Sequence, residues 1–174
     1  MTEIINYIVA SLSVIAQIAT LILLAAYFSK AGWAKDIKIF AAQRYLVIGF
    51  LITLGAVAGS LFYSEIAGFE PCKLCWLQRI FIYPQAVLFA VALIKNKKDL
   101  ADYVVPLSAI GGLIAIYHYY IQLGGLPLIP CSAANANACA QKFVMIFGYI
   151  TIPMMSISAF ALLFIFSIIN KKLK

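Results

Sequence analysis

Charge is what this sequence has least of. Asp, Glu, Lys and Arg make up 11% of the 174 residues, against 65% hydrophobic residues, and no water-soluble domain of this size could cover itself with so little polar surface. The chain therefore belongs in a lipid bilayer. It also lacks a solenoid-type repeat and a low-complexity linker, so residues 1–174 read as one domain. No basic region opens it. Glu3 stands near the start, and the apolar run goes on for about 25 residues before Lys30, unlike a cleaved secretory signal. The first stretch is expected to be a retained anchor.

What is abundant is long apolar sequence. Five stretches, at 4–28, 43–63, 77–94, 103–122 and 146–169, each approach the roughly 20 residues that cross the hydrocarbon core as a helix. Only helices satisfy their own backbone there, so the expected fold class is all-α, a polytopic bundle of about five spans. Lys30, Lys35, Lys38 and Arg44 follow the first span, Lys95, Lys97 and Lys98 the third, and Lys171, Lys172 and Lys174 the fifth. The opposite side has only Lys73, Arg79 and Lys142. This positive-inside asymmetry places the N-terminus outside and the C-terminus in the cytoplasm. The net charge of +7 is thus accounted for by topology and lipid contact, and nucleic acid is not an expected partner. Trp33, among Lys30, Lys35 and Lys38, suggests an interfacial stretch lying on the cytoplasmic surface.

The four cysteines fall into two pairs on the outer side of that topology. Cys72 and Cys75 lie in a short loop before the third span, and Cys131 and Cys139 lie in a longer Gly/Pro/Ala/Asn-rich loop between the fourth and fifth. Outside a cytoplasmic membrane thiols can persist as disulfides. The spacing of Pro71-Cys72-Lys73-Leu74-Cys75-Trp76 brings two sulfurs within disulfide reach at the start of a span. Cys75 is then near a helix N-terminus, where a thiolate is favoured, with the Arg79 cation one turn on. An inert disulfide or half of a zinc site would use the same spacing. Haem attachment is not expected, because Trp76 stands where a c-type site needs His.

His118 is the only histidine. By helical rise it lies about 7 Å inside the outer end of the fourth span, and Arg79 about 5 Å inside that of the third. An apolar cavity at that level could bind a lipid-soluble ring through its carbonyl oxygens. Arg79 could equally snorkel to headgroups, and His118 could simply bond a neighbouring helix. Cys131 and Cys139, with seven intervening residues, could form a structural staple or an exchanging pair.

The run Glu70-Pro71-Cys72-Lys73-Leu74-Cys75-Trp76-Leu77-Gln78-Arg79-Ile80, with Tyr83-Pro84, His118, Gln122 and the outer-loop cysteines, closely resembles the DsbB/BdbC family of membrane thiol:quinone oxidoreductases over roughly residues 43–169. The resemblance implies a DsbB-type four-helix bundle in a bacterial cytoplasmic membrane, with an additional N-terminal transmembrane helix. It implies that a soluble DsbA-like thioredoxin-fold oxidase is reoxidised and that electrons pass to ubiquinone or menaquinone from the membrane pool. Cys131 would meet the partner, Cys139 would exchange with Cys72, and Cys75 would face the quinone as a thiolate. Arg79, His118 and Gln122 would belong to the quinone site, and no metal is implied. The close spacing of Cys131 and Cys139 resembles the BdbC branch. The order of the pairs is opposite to that of vitamin K epoxide reductases, in which the loop pair comes first. A competing class is a membrane protein that uses its four cysteines as a structural metal or redox-sensor site.

Overall fold

A backbone in lipid has no water to bond with, and the long apolar runs resolve that constraint as helices. The structure is a computed structural model and describes residues 2–95, 97, 99–126 and 139–173. Its helices are α1 (Thr2–Phe28), α2 (Gly32–Leu61), α3 (Lys73–Ile94), α4 (Ala101–Gln122) and α5 (Ile152–Lys172). All five are long and apolar enough to cross a membrane. Apart from one isolated pairing between Ile146 and Ile150, the regular structure of the described residues is helical.

Three boundaries differ from the sequence expectation. The residues around Trp33 are not a separate surface segment but the first turns of α2. The break falls earlier, at residues 29–31, where Ala31 is extended and its N–H donates to Ser29 Oγ at 3.2 Å. With no proline from Gly32 onward to stop it, the helix runs 30 residues to Leu61. At α3, Cys72 takes an extended conformation and caps the helix, which therefore starts at Lys73 rather than near residue 77. At α5, Ile146 and Ile150 exchange backbone hydrogen bonds of 3.0 and 2.9 Å around a reversal. Phe147 (φ 53°) and Gly148 (φ 77°) make that turn in left-handed conformations, so the helix begins only at Ile152, with Pro153 in its first turn.

The most apolar window of α5 is 56% buried and that of α1 only 17%. The central helix is therefore α5, packed against α4, α1 and α2, while α1 lies at the periphery. Aromatic rings lock the bundle by filling spaces that only glycine leaves. Phe89 of α3 lies over Gly49 of α2, and Phe160 of α5 lies over Gly111 of α4. Two polar pairs are buried between the helices, where water is scarce. Tyr45 Oη meets Ser167 Oγ at 2.9 Å, and Ser108 donates to Gln85 Oε1 at 2.9 Å.

Between α2 and α3 the chain passes through a π-helical turn, Phe62–Ile66, and reverses at Gly68 (φ 70°). Tyr63, Phe69 and Phe143 then stack at centroid separations of 5.9 and 4.8 Å. That stack ties the approach to Cys72 to the segment before α5.

A Cβ at Gly111 would overlap the Phe160 ring, whereas one at Gly32 meets nothing within 4 Å. Gly111→Ala is therefore expected to cost about 1–3 kcal/mol, and Gly32→Ala to be neutral or stabilising. Thermal unfolding in detergent measures both, and equal midpoints would contradict the interlock.

Candidate redox site

The site is built outward from the N-terminus of α3. Cys72 is the capping residue, and its sulfur accepts the Cys75 N–H at 3.4 Å. The two sulfurs are 3.1 Å apart and both are free thiols. His118 Nε2 lies 3.6 Å from Cys72 Sγ, and His118 Nδ1 lies 3.0 Å from Gln78 Nε2. An amide nitrogen can only donate, so Nδ1 is the acceptor and Nε2 carries its proton toward the sulfur. The hydrogen bond from Cys75, and secondarily that from His118, outweigh burial and hold the Cys72 thiol below the ordinary thiol range. The sequence points to Cys75 as the thiolate; in the structure the Cys75 N–H and His118 Nε2 converge on Cys72 Sγ.

Arg79 is buried, at 8% exposure. Its Nε donates to Ser60 Oγ at 2.8 Å and its Nη2 to Ser60 O at 3.0 Å, while its Cζ lies 4.9 Å from the Trp76 ring centroid. A snorkelling Arg keeps its head group in water, whereas this one is enclosed by and bonded to protein. Ser60 also accepts from Tyr83 Oη at 3.4 Å. Alternating apolar sequence carries no signal for Ser60, because its importance arises only where α2 meets α3.

Beside Cys75 lies a cavity of about 450 Å³, walled by α1, α2, α3 and α5. The part beside the thiol pair offers polar groups from Ser60, Ser64, Glu70, Cys75, Gln78 and Arg79 among apolar neighbours such as Phe69 and Phe143. The far part is mainly apolar, with Ala16, Ala19, Leu51, Ile52, Ile82 and Leu162. This shape and chemistry fit a quinone: the hydrogen-bonding end matches carbonyl oxygens, and the apolar end matches a hydrocarbon tail.

The resemblance implies that Arg79, His118 and Gln122 all belong to the quinone site, which can be set against the lining of this cavity. Among the described residues Arg79 lines it, while no residue of α4 does. His118 approaches the thiol pair from the other side, through Cys72 and Gln78. Gln122 donates to Gln141 O at 3.0 Å, with its Oε1 buried and unpartnered, so it fastens the end of α4 to the segment after Cys139. Gln78 is the residue that the motif contains but its spacing does not single out, since it both contacts His118 and lines the cavity.

Cys139 is fully buried and disulfide-bonded. It packs in the same small apolar cluster as Cys72, Leu74 and Ile121, with Cys75 against it. Cys131 lies outside the described residues. The Sγ atoms of Cys72 and Cys75 and a ring nitrogen of His118 lie within 4.8 Å of one another, which is also a spacing that a metal ion could use.

Five apolar helices and a partly buried CxxC opening on a cavity between them define a multi-pass membrane protein equipped for thiol redox chemistry. Residues 42–170 match the family model for disulfide bond formation protein DsbB. The chain is 46% identical over 125 residues to the SPbeta prophage-derived disulfide bond formation protein B of Bacillus subtilis (strain 168), covering 72% of this chain and 83% of that protein. It is 36% identical over 129 residues to disulfide bond formation protein C of the same organism, covering 73% and 92%. It is 38% identical over 119 residues to probable disulfide formation protein C 1 of Bacillus anthracis, covering 68% and 86%. No solved structure matches it. The chain belongs to the DsbB family, membrane oxidoreductases of disulfide bond formation that generally use quinone.

A Cys72 thiol held below the ordinary thiol range keeps its charge at lower pH than a free thiol does. The ultraviolet absorbance of the thiolate in the reduced protein is expected to be developed below the ordinary thiol range and to be lost on acidification. Because the Cys75 bond contributes most, Cys75→Ala should move the midpoint upward further than His118→Ala. A midpoint in the ordinary thiol range in the parent protein would contradict the assignment.

Proposed function

We propose that this protein reoxidises an extracytoplasmic DsbA-like thioredoxin-fold oxidase and delivers the electrons to a respiratory quinone. The observation that carries this reading is the two-sided placement of the thiol pair. Cys75 lines the cavity, while Cys72 shares an apolar cluster with Cys139 on the other side. One side suits exchange with the outer-loop pair, and the other suits electron delivery to a lipid-soluble ring.

The steps balance as thiol exchange. The partner's thiolate attacks the Cys131–Cys139 disulfide, and its second thiol closes the partner's disulfide, leaving the loop pair as a dithiol. That dithiol reduces a Cys72–Cys75 disulfide and is itself reoxidised. The Cys72–Cys75 dithiol then closes to a disulfide, giving up two electrons and two protons. Quinone supplies the acceptor for both.

The roles of the surrounding groups follow from their contacts. His118 holds a proton toward Cys72 and stabilises its thiolate, and Gln78 fixes the tautomer that does so. Arg79, clamped on Ser60, presents a fixed cation at the polar end of the cavity, where negative charge develops on a reduced ring. Gln122 holds the end of α4 against the loop segment that follows Cys139.

The proposed orientation puts the cysteines on the outer face of a bacterial cytoplasmic membrane, with the N-terminus outside and the C-terminus inside. Lys30, Lys35 and Lys38 flank the break between α1 and α2, and Lys171 and Lys172 end α5. The thiol pair lies at the opposite ends of these helices, as positive-inside charge requires.

A second reading rests on the convergence of Cys72, Cys75 and His118, a donor set suited to zinc or another thiophilic cation. One experiment separates the two. Purified protein supplied with a reduced thioredoxin-fold oxidase should reduce quinone without bound metal, and Cys75→Ala or Cys131→Ala should abolish turnover. Arg79→Met should lower it by about ten- to a hundredfold, as loss of one charge-stabilising group does. Stoichiometric zinc with no quinone reduction would replace the oxidase reading with the metal one.

A further inference from the structure

The family match begins at residue 42 and so leaves α1 outside it, yet α1 supplies a wall of the cavity. Val9, Leu12, Ser13, Ile15, Ala16 and Ala19 line it from one side, a stretch of about 15 Å along the helix at its 1.5 Å rise. The helix is fixed to α5 from its own flank. Gln17 Nε2 donates to Ser158 Oγ at 2.9 Å, and Gln17 Oε1 accepts from Tyr149 Oη at 3.1 Å.

The facing wall on α2 has an unusual composition for a helix interior. Gly55 and Gly59, one turn apart, both line the cavity, and a Cβ at either would meet nothing within 4 Å. They differ in this from Gly49 and Gly111, whose missing side chains are filled by Phe89 and Phe160. A glycine inside a helix weakens it relative to alanine, and at Gly55 and Gly59 no ring uses the space gained. What they preserve is the open volume itself. It runs inward from Ser60, the residue that holds Arg79, and Leu12, Ile15, Leu51 and Gly55 around it are exposed toward the bilayer.

We infer that α1 and the Gly55–Gly59 face of α2 form a lateral slot for the hydrocarbon tail of the quinone, making the N-terminal helix a specificity-determining part of the ligand site. This rests on the function proposed above and deepens it. A ring at the polar end beside Cys75 and Arg79 directs its tail inward and sideways, between the small residues Ser13 and Ala16 on α1 and Gly55 and Gly59 on α2. The polar end contributes equally to any quinone ring, so the slot acts only on ligands that carry a tail.

The test compares the dissociation constants of two quinones with the same ring, one bearing a decyl chain and one bearing none. Binding is read from Trp76 fluorescence in a Trp33→Phe background, with the thermal midpoint measured alongside. Gly55→Leu, Gly59→Leu and Ala16→Leu should each raise the ratio of tailed to tail-less dissociation constants by about tenfold, the effect of denying contact to a few methylenes. The two glycine variants should do so without lowering the thermal midpoint, since a Cβ at either meets no neighbour and leucine gains helix propensity. Ile18→Phe, at an exposed position of α1 outside the cavity lining, should leave the ratio unchanged. A ratio that stays at the parent value in all three slot variants overturns the inference while leaving the proposed function intact. Failure of the parent protein to bind either quinone overturns both.

Discussion

The sulfur of Cys72 at the first turn of α3 is the point on which the site depends. By capping the helix it sets where α3 begins, and the helical repeat then dictates the rest. Cys75 falls in the same turn, close enough to bond the capping sulfur, and Gln78 and Arg79 follow one turn further in. The approach to this cap is held by the π-helical turn, the reversal at Gly68 and the stack of Tyr63, Phe69 and Phe143. A start of α3 four residues later would leave the thiol pair in an irregular loop, with neither the cap nor the helix terminus to stabilise a thiolate.

Two sides of one short motif are thereby given different surroundings. Cys72 is directed toward α4, where the proton on His118 Nε2 and the apolar cluster containing Cys139 meet it. Cys75 is directed to a cavity that α4 does not reach. Gln78 spans the division, bonding His118 while lining the cavity. In a medium without water such polar groups must be satisfied by one another. The chain from Gln78 through His118 to Cys72, and the clamp of Arg79 on Ser60, are the local solutions.

The four helices from α2 to α5 form the part of the chain that the family model covers, and α1 is set beside them against α5. Its polar fastening through Gln17, Ser158 and Tyr149 is a specific attachment, more than the lipid-facing packing of an anchor alone. Its inner face closes one side of the cavity that the thiol pair opens onto.

The five spans, their number and their charge asymmetry are legible in the sequence because hydrophobic length and the placement of Lys and Arg act locally and one-dimensionally. The CxxC, Arg79 and His118 are legible because rare residue types in an apolar background stand out. By itself the sequence determined a helical membrane protein with two cysteine pairs and a resemblance to one family. It could not determine that the Cys75 N–H and the His118 ring, 46 residues from Cys72, converge on the Cys72 sulfur. Nor could it separate Arg79, which lines the cavity, from His118, which does not, although helical rise puts both near one depth. Ser60, the Gly55–Gly59 face and the contribution of α1 to the cavity were likewise decided only by tertiary structure. Depth follows from counting residues along a helix, whereas the direction a side chain faces depends on how each helix is rotated against its neighbours, and packing alone sets that.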